Sequence, residues 1–346
     1  MTSTARKIRR IALIGAAAGA AVGAGLRSRS RSRRPDPADG EPLGMLTGHP
    51  VTVTTDDGVQ LAVETEGIAE HDVVVVFAHG WTLTRHSWHY QRKALAGRAG
   101  LVLYDQRGHG GSALPPDDGY AIERLGEDLH TVIEQVVPEG KKVVLAGHSM
   151  GGMTIMALAA AHPEVFGDRV VGAALVGTSS GGLDAISLGL RGPLGRAVPR
   201  AMDRLFAQME RGGALMEKAP RLRARMNMPV TRFLVFTRDA SVTLVRFVNE
   251  MIAGTPVPVT TGFFHALGVH DKKAALPVLD EVDTVVVVGE LDRLTPRVHS
   301  DVIAAGVTGA RLVTVPDAAH MVALEQPARV TQELTDLLDR VARSTN

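Results

Sequence analysis

Gly147-His148-Ser149-Met150-Gly151-Gly152 lies between a short apolar run, Val143–Ala146, and a stretch with the apolar spacing of a helix. The segment predicts a tight strand-to-helix turn with a serine at its tip. Gly147 and Gly151 leave room for a neighbouring chain to pass close to the turn, and the helix N-terminus favours negative charge nearby. We therefore interpret the turn as a nucleophile elbow that presents the Ser149 hydroxyl above the carboxyl edge of a sheet.

Short apolar runs recur along the chain and are typical of parallel strands buried on both faces. Before them, Val51–Thr55 and Val59–Glu64 alternate apolar and polar residues around Asp57-Gly58, which predicts a β-hairpin. Helical stretches such as Ile122–Val136 and Met150–Ala161 separate the runs, so the predicted fold class is α/β, with a mostly parallel sheet flanked by helices. The apolar runs are Val73–Ala78, Leu101–Tyr104, Val143–Ala146, Val170–Val176, Val285–Val288 and Arg311–Val315.

Residues 182–270 form a long interruption of this pattern, helical in periodicity and rich in Arg and Leu. A connection this long inside an α/β domain is usually functional, so we interpret it as an inserted helical cap. The predicted organisation is a basic N-terminal tail with a linker at 1–44, a sheet domain at 45–181 and 271–346, and the cap at 182–270.

The net charge of +1 conceals an uneven distribution. Residues 1–34 hold nine basic and no acidic residues, so residues 35–346 carry a charge of −8. An acidic body argues against a nucleic-acid-binding domain, and no nucleic-acid partner is expected. The absence of cysteine excludes a disulfide scaffold, a thiolate metal site and a cysteine nucleophile.

The uncharged run at residues 11–26, flanked by basic residues, is similar to an anchor or signal segment. It is shorter than the roughly 20 apolar residues of a typical transmembrane helix. We expect membrane association through this N-terminus, with export after signal cleavage or a cytoplasmic location as alternatives. Residues 27–44 are charged and rich in Pro and Gly, which predicts a flexible linker.

A serine nucleophile needs a base that is oriented by a carboxylate, and after an elbow these follow in the order Ser, Asp or Glu, His. Asp292 follows the fifth apolar run and is the candidate acid, with Glu290 as its rival. His320 follows the last apolar run and is the candidate base. Ser149, Asp292 and His320 are therefore the predicted catalytic residues.

Two backbone amides are candidates for the oxyanion hole that the tetrahedral intermediate of acyl transfer requires. One belongs to Met150, the residue after the nucleophile, and the other to Trp81 in the loop His79-Gly80-Trp81. Gly80 allows that loop to turn sharply, and His79 and His148 are assigned to their motifs as structural residues. The Trp81 ring either walls an acyl pocket or packs in the core.

The stretch Asp105–Ser112 (DQRGHGGS) contains glycines and charges that resemble a phosphate loop. It lacks the Lys-Ser/Thr of a P-loop and does not open a helix, so we assign it a loop-structuring role. His86 and His89 are three residues apart, but the sequence offers no convergent third ligand. Neither a metal nor another cofactor is predicted.

Taken in order, five motifs resemble those of the α/β-hydrolase superfamily over about residues 50–343. The resemblance implies an eight-stranded sheet, a cap after the sixth strand and a Ser149–Asp292–His320 triad, and it is greatest to esterases, monoacylglycerol lipases and cofactor-free haloperoxidases. Epoxide hydrolases and haloalkane dehalogenases carry Asp in place of Ser149, and the cap lacks the tyrosines of epoxide hydrolases, so these activities are disfavoured. The motifs are HGW (79–81), DQRGHGGS (105–112), GHSMGG (147–152), GELDRLTP (289–296) and AAHMVALEQP (318–327).

The expected function is hydrolysis of a small or medium apolar acyl ester through an acyl-enzyme on Ser149. A thioesterase, an amidase, a C–C bond hydrolase or an acyltransferase with the same triad is the alternative, because the motifs do not fix the substrate. A non-catalytic ligand receptor on the same fold is the third hypothesis.

Overall fold

The computed structural model describes residues 36–116, 119–183, 204 and 220–344. Within them, no helix combines the length and apolar character needed to cross a bilayer. The N-terminal run at 11–26 and, apart from Arg204, residues 184–219 of the predicted cap lie outside the described residues.

Among the described residues, eight strands form a single sheet in the order β1-β2-β4-β3-β5-β6-β7-β8. The β1–β2 hairpin and the β2–β4 pair are antiparallel, whereas β4, β3 and β5 to β8 pair in parallel, which confirms the predicted mostly parallel sheet. The strands are β1 (His49–Thr54), β2 (Gln60–Glu66), β3 (Val73–Ala78), β4 (Gly100–Tyr104), β5 (Lys142–His148), β6 (Val170–Val176), β7 (Asp283–Gly289) and β8 (Arg311–Val315).

Helices cover both faces of the sheet because alternate strand residues point to opposite sides. Val74 and Val76 of β3 join one buried apolar cluster, and Val75 and Phe77 join the other. Helices α2, α3 and α7 pack into the first cluster, and α1 and α9 into the second. The helices are α1 (His89–Leu95), α2 (Ile122–Val136), α3 (Met150–Ala161), α4 (Pro220–Val235), α5 (Val242–Gly254), α6 (Val257–Val269), α7 (Arg297–Gly306), α8 (Val322–Glu325) and α9 (Pro327–Ser344).

The described part of the 182–270 insertion consists mainly of helices α4, α5 and α6, between β6 and β7. Its two ends meet, because Gly181 and Asp271 form an antiparallel bridge and the Lys272 amide donates to the Ser180 carbonyl at 2.8 Å. The insertion therefore leaves and re-enters the sheet domain at one place.

A buried arginine with two carboxylate partners joins three separate segments of the chain. Arg107, fully buried in the loop after β4, donates through Nε and Nη2 to the two carboxylate oxygens of Asp128 on α2, both at 2.6 Å. Its Nη1 donates to Asp57 Oδ2 in the β1–β2 turn at 2.8 Å. The guanidinium therefore fastens the hairpin and α2 to the DQRGHGGS loop.

Replacing Asp128 with alanine should lower the free energy of unfolding by about 3–5 kcal/mol, because it removes the buried carboxylate partner of Arg107 and leaves only the partly exposed Asp57. The control is Asp301→Ala, which removes one half of the exposed Arg297–Asp301 pair and should cost less than about 1 kcal/mol. Urea denaturation of the two variants measures the difference. Equal losses in both variants would contradict the role assigned to Arg107.

Several histidines are buried without charge around the carboxyl edge of the sheet and the base of the insertion. Burial lowers the pKa of His79 and His270 to about 4, and burial together with a neighbouring histidine lowers the pKa of His109 and His148 to about 3. In the unfolded chain these side chains bind protons near pH 6.5. The unfolded state therefore binds more protons than the native state between these values, so stability falls as pH decreases through this window.

Between pH 7.5 and pH 5.5 each of these histidines should remove about 1.4 kcal/mol from the free energy of unfolding. The variant His270→Gln keeps a side-chain donor for the Ser179 carbonyl, which His270 Nε2 contacts at 3.1 Å, but cannot be protonated. It should therefore lose about 1.4 kcal/mol of the pH dependence. Urea denaturation at both pH values tests this, with the exposed His265→Gln as control. An unchanged pH dependence in His270→Gln would refute the assignment.

Candidate active site

Ser149 lies at the end of β5 and immediately before α3, in a backbone conformation that non-glycine residues rarely adopt. Its φ is +53° and its ψ is −117°, a strained combination that the surrounding hydrogen bonds maintain. The Ser149 amide donates to the Val176 carbonyl at 2.9 Å, and its carbonyl accepts from the Gly152 amide at 2.9 Å. The strand-to-helix turn predicted for residues 147–152 is thus present, with its serine partly exposed.

Glycine is required on both sides of the serine because Gly151 packs against the end of β3 and Gly147 packs against the first turn of α3. A Cβ on Gly151 would lie 2.1 Å from the Ala78 carbonyl oxygen, and one on Gly147 would lie 2.5 Å from the Gly151 carbonyl oxygen. These distances are far inside van der Waals contact, so no larger side chain fits without moving the strand or the helix.

Asp292 and His320 meet at the carboxyl ends of β7 and β8. The Nδ1 of His320 lies 2.9 Å from Oδ2 of Asp292, and both side chains are buried. Burial favours the neutral acid, but the adjacent His320 and the hydrogen bonds from Thr295 outweigh it and lower the pKa of Asp292 below its usual value. Glu290, the rival acid, is exposed. The structure therefore brings Asp292 against His320.

Thr295 completes the surroundings of Asp292 and was not identified from the sequence. Its hydroxyl donates to Asp292 Oδ2 at 2.9 Å and lies 3.3 Å from His320 Nδ1. Its amide and that of Leu294 donate to the other oxygen, Oδ1, both at 2.9 Å. An aspartate that accepts amides two and three residues on is a recognisable turn signal, which the segment GELDRLTP carries.

The adjacency of β5, β6, β7 and β8 places Ser149 at the same edge as the Asp292–His320 pair. His148, next to Ser149, packs its ring 4.9 Å from the His320 ring, and its Nε2 lies 2.9 Å from the His320 carbonyl oxygen. With a pKa of about 3, His148 is neutral and serves as a buried donor. The structural role predicted for His148 thus consists in contacting the candidate base.

The loop His79-Gly80-Trp81 follows β3 and lies directly against the nucleophile turn. A Cβ on Gly80 would lie 3.0 Å from His148 Nδ1 and 3.3 Å from the Ser149 Cβ. Met150, the other candidate oxyanion donor, is the first residue of α3, where amides lack an intrahelical acceptor. Both segments with candidate donor amides therefore border Ser149.

The DQRGHGGS loop holds the His79–Arg85 segment in place, which confirms its predicted loop-structuring role. Gln106 Nε2 donates to the His79 carbonyl at 2.6 Å, and its own amide donates to His79 Nε2 at 2.9 Å. His109 Nε2 accepts from the Thr82 amide at 3.2 Å, next to Trp81. Asp105 accepts from the Arg85 amide at 2.7 Å. Gln106, His109 and Asp105 were not singled out individually because their partners lie in another segment.

Apolar side chains of the insertion contact the His79–Arg85 segment. The rings of Trp81 and Phe264 of α6 are 6.1 Å apart at 33°, and both are partly exposed. Met251 of α5 accepts through its sulfur from the Thr84 hydroxyl at 3.2 Å. The half-buried Trp81 ring packs against the first buried apolar cluster and also presents surface beside Phe264.

No cluster of three or more His, Asp or Glu side chains is arranged to hold a metal ion within the described ranges. His89, one of the two closely spaced histidines, is paired with Glu41, whose Oε1 lies 2.9 Å from its Nε2.

The comparison with family models matches residues 75–333 to a model described as the alpha/beta hydrolase family. A non-heme chloroperoxidase of Kitasatospora aureofaciens is 39% identical over 101 residues, which are 29% of this chain and 34% of that protein. A putative 2-succinyl-6-hydroxy-2,4-cyclohexadiene-1-carboxylate synthase of Bacillus subtilis is 27% identical over 84% of this chain and 99% of its own length.

Among solved structures, a thermophilic esterase from Thermogutta terrifontis with malate bound superposes with a TM-score of 0.67. It is 25% identical, and the match covers 84% of this chain and 98% of the esterase. The sheet order, the serine turn and the family match over residues 75–333 agree with one another. The chain belongs to the alpha/beta hydrolase family.

Proposed function

We propose that this hydrolase cleaves a carboxylic ester, with Ser149 as nucleophile, His320 as base and Asp292 as the acid that orients the base. One observation carries the proposal: the 2.9 Å contact between His320 Nδ1 and Asp292 Oδ2 at the sheet edge that also holds the strained serine. A proton on Nδ1, donated to the carboxylate, leaves Nε2 as the acceptor for a serine proton.

In the proposed reaction Ser149 Oγ attacks the ester carbonyl carbon while His320 Nε2 takes its proton. The amides of Met150 and Trp81 stabilise the oxyanion, and Asp292 stabilises the imidazolium. The intermediate then collapses, the C–O bond breaks, and His320 returns the proton to the leaving alcohol. Water, deprotonated by His320, attacks the acyl-enzyme and releases the acid and free Ser149.

The proposed substrate has an apolar acyl or alcohol group of small or medium size. Trp81 and Phe264 offer partly exposed aromatic surface beside the oxyanion loop, and Met251 contributes a flexible apolar side chain. The similarity to the thermophilic esterase from Thermogutta terrifontis supports the same reaction class.

A second candidate is a non-hydrolytic reaction at the same three side chains. It is favoured by the match to the Bacillus subtilis protein, which covers nearly all of a protein named as a synthase. A panel of p-nitrophenyl esters, thioesters and anilides separates hydrolysis from this second candidate. Labelling of Ser149 by a fluorophosphonate probe without turnover of any of these substrates would replace the ester proposal with the second candidate.

The variant Ser149→Ala should lose about 10⁶-fold in kcat on p-nitrophenyl butyrate, since the nucleophile is absent. It should also lose labelling by a fluorophosphonate probe. The matched control is Ser179→Ala, because Ser179 is the buried serine whose Oγ lies 2.8 Å from His299 Nδ1. Loss of labelling in Ser179→Ala but not in Ser149→Ala would reassign the nucleophile.

Asp292→Asn should reduce kcat by about 10⁴-fold, because an amide that donates to Nδ1 places the His320 proton on the wrong nitrogen. Glu290→Gln, two residues away and exposed, should leave kcat within about twofold of the parent protein. Steady-state kinetics of both variants on one ester decide between the two acids. The opposite ranking would make Glu290 the acid.

A further inference from the structure

The main chain on both sides of His320 is hydrogen-bonded to groups that the reaction itself does not use. The amide of Ala319, just before the histidine, donates to Glu325 Oε2 at 2.8 Å. The amide of Met321, just after it, donates to the carbonyl of Val235 at 3.0 Å. Residues 316–321, between β8 and α8, are called the histidine loop below. Val235 ends helix α4 of the insertion, so the bond to its carbonyl already ties the histidine loop to the insertion.

Glu325 extends this connection through its second oxygen. Oε1 accepts from the Thr237 amide at 2.7 Å and from the Thr237 hydroxyl at 2.6 Å. Thr237 lies two residues beyond α4, in the turn that leads to α5. The Glu325 carboxylate therefore bridges the two segments: Oε2 accepts from the histidine loop and Oε1 accepts from the insertion.

The sheet domain holds the same loop from the opposite side. The ring of His148 contacts the His320 carbonyl oxygen at 2.9 Å, and the Leu291 amide donates to the Ala318 carbonyl at 2.8 Å. The position of the His320 backbone is therefore set by the core on one side and by residues 235–237 on the other.

We propose that Glu325 is a positioning residue that links the seating of the insertion to the placement of His320. With the Val235–Thr237 segment seated, the Met321 amide has its acceptor and Glu325 is held from both sides. When the segment moves away, Met321 loses the Val235 carbonyl, and Glu325 loses the Thr237 donors that hold it against the Ala319 amide. The histidine loop then relaxes. The inference rests on the proposed function, because it assigns His320 as the base. It makes the seating of the insertion a determinant of the chemical step.

Replacing Glu325 with glutamine tests this role, because the side chain keeps nearly the same size but loses one of its two acceptor oxygens. The carboxylate of Glu325 faces donors on both oxygens, the Thr237 groups on one side and the Ala319 amide on the other. A carboxamide has one acceptor oxygen, so in either orientation its NH₂ faces an N–H donor. One half of the bridge is lost whichever way the side chain turns.

Glu325→Gln should lower kcat on p-nitrophenyl butyrate by about 10²-fold, the effect of displacing a reacting group by about 1 Å, with KM changed less than about threefold. Thr237→Val removes only the hydroxyl donor and should lower kcat less. Glu134→Gln, on the exposed face of α2, is the matched control and should retain parental kinetics. An increase in KM at constant kcat, or an unchanged kcat in Glu325→Gln, would overturn the proposal.

Amide hydrogen exchange supplies a readout that is independent of ester turnover. In Glu325→Gln, exchange at Ala319, Met321 and Thr237 should accelerate together, while amides of β5 keep their protection. Faster exchange at Thr237 alone would show that the bridge does not reach the histidine loop. Fluorophosphonate labelling of the parent protein tests the proposed function separately, so failure of one proposal is distinguishable from failure of the other.

Discussion

The active edge of this protein depends on how closely the first turn of α3 approaches the carboxyl end of β3. At Gly151 the separation leaves no room even for a methyl group, and Ser149 is held in a backbone conformation that costs about 1–3 kcal/mol. The strain persists because β5 is buried between β3 and β6 and cannot relax in either direction. Close packing of the parallel sheet thus keeps the serine turn in its strained form.

The same constraint explains why so much of the fold could be predicted from the sequence. Strands buried on both faces are continuous apolar runs, and β3, β6 and β8 have the predicted bounds of 73–78, 170–176 and 311–315. β5 extends beyond its run, from Lys142 to His148, because backbone pairing continues where the side chains are no longer aliphatic. Neighbouring parallel strands end at one edge of the sheet. Asp292 follows β7 and His320 follows β8, so their positions after adjacent strands were enough to predict that they lie near each other.

The supporting contacts could not be predicted in the same way. Thr82 and His109, or Thr237 and Glu325, are far apart in sequence, and nothing in either segment identifies its partner. Their pairing depends on the packing of loops from different strands, which becomes visible only in the folded chain. Thr295 differs, because its bonds to Asp292 are local and carried a turn signal. Contacts between residues far apart in the sequence therefore could not be predicted from it.

The meeting of the two ends of the insertion at Gly181 and Asp271 has a consequence for how such a fold diversifies. Since the ends are already bridged, the entropy of closing the connection between β6 and β7 rises only slowly with its length. Segments of very different size and shape can therefore occupy this position while the sheet keeps its register. Any replacement must still supply an acceptor for the Met321 amide, as Val235 does, and donors for the Glu325 carboxylate, as Thr237 does. Exchange of the insertion is therefore restricted at these few contacts.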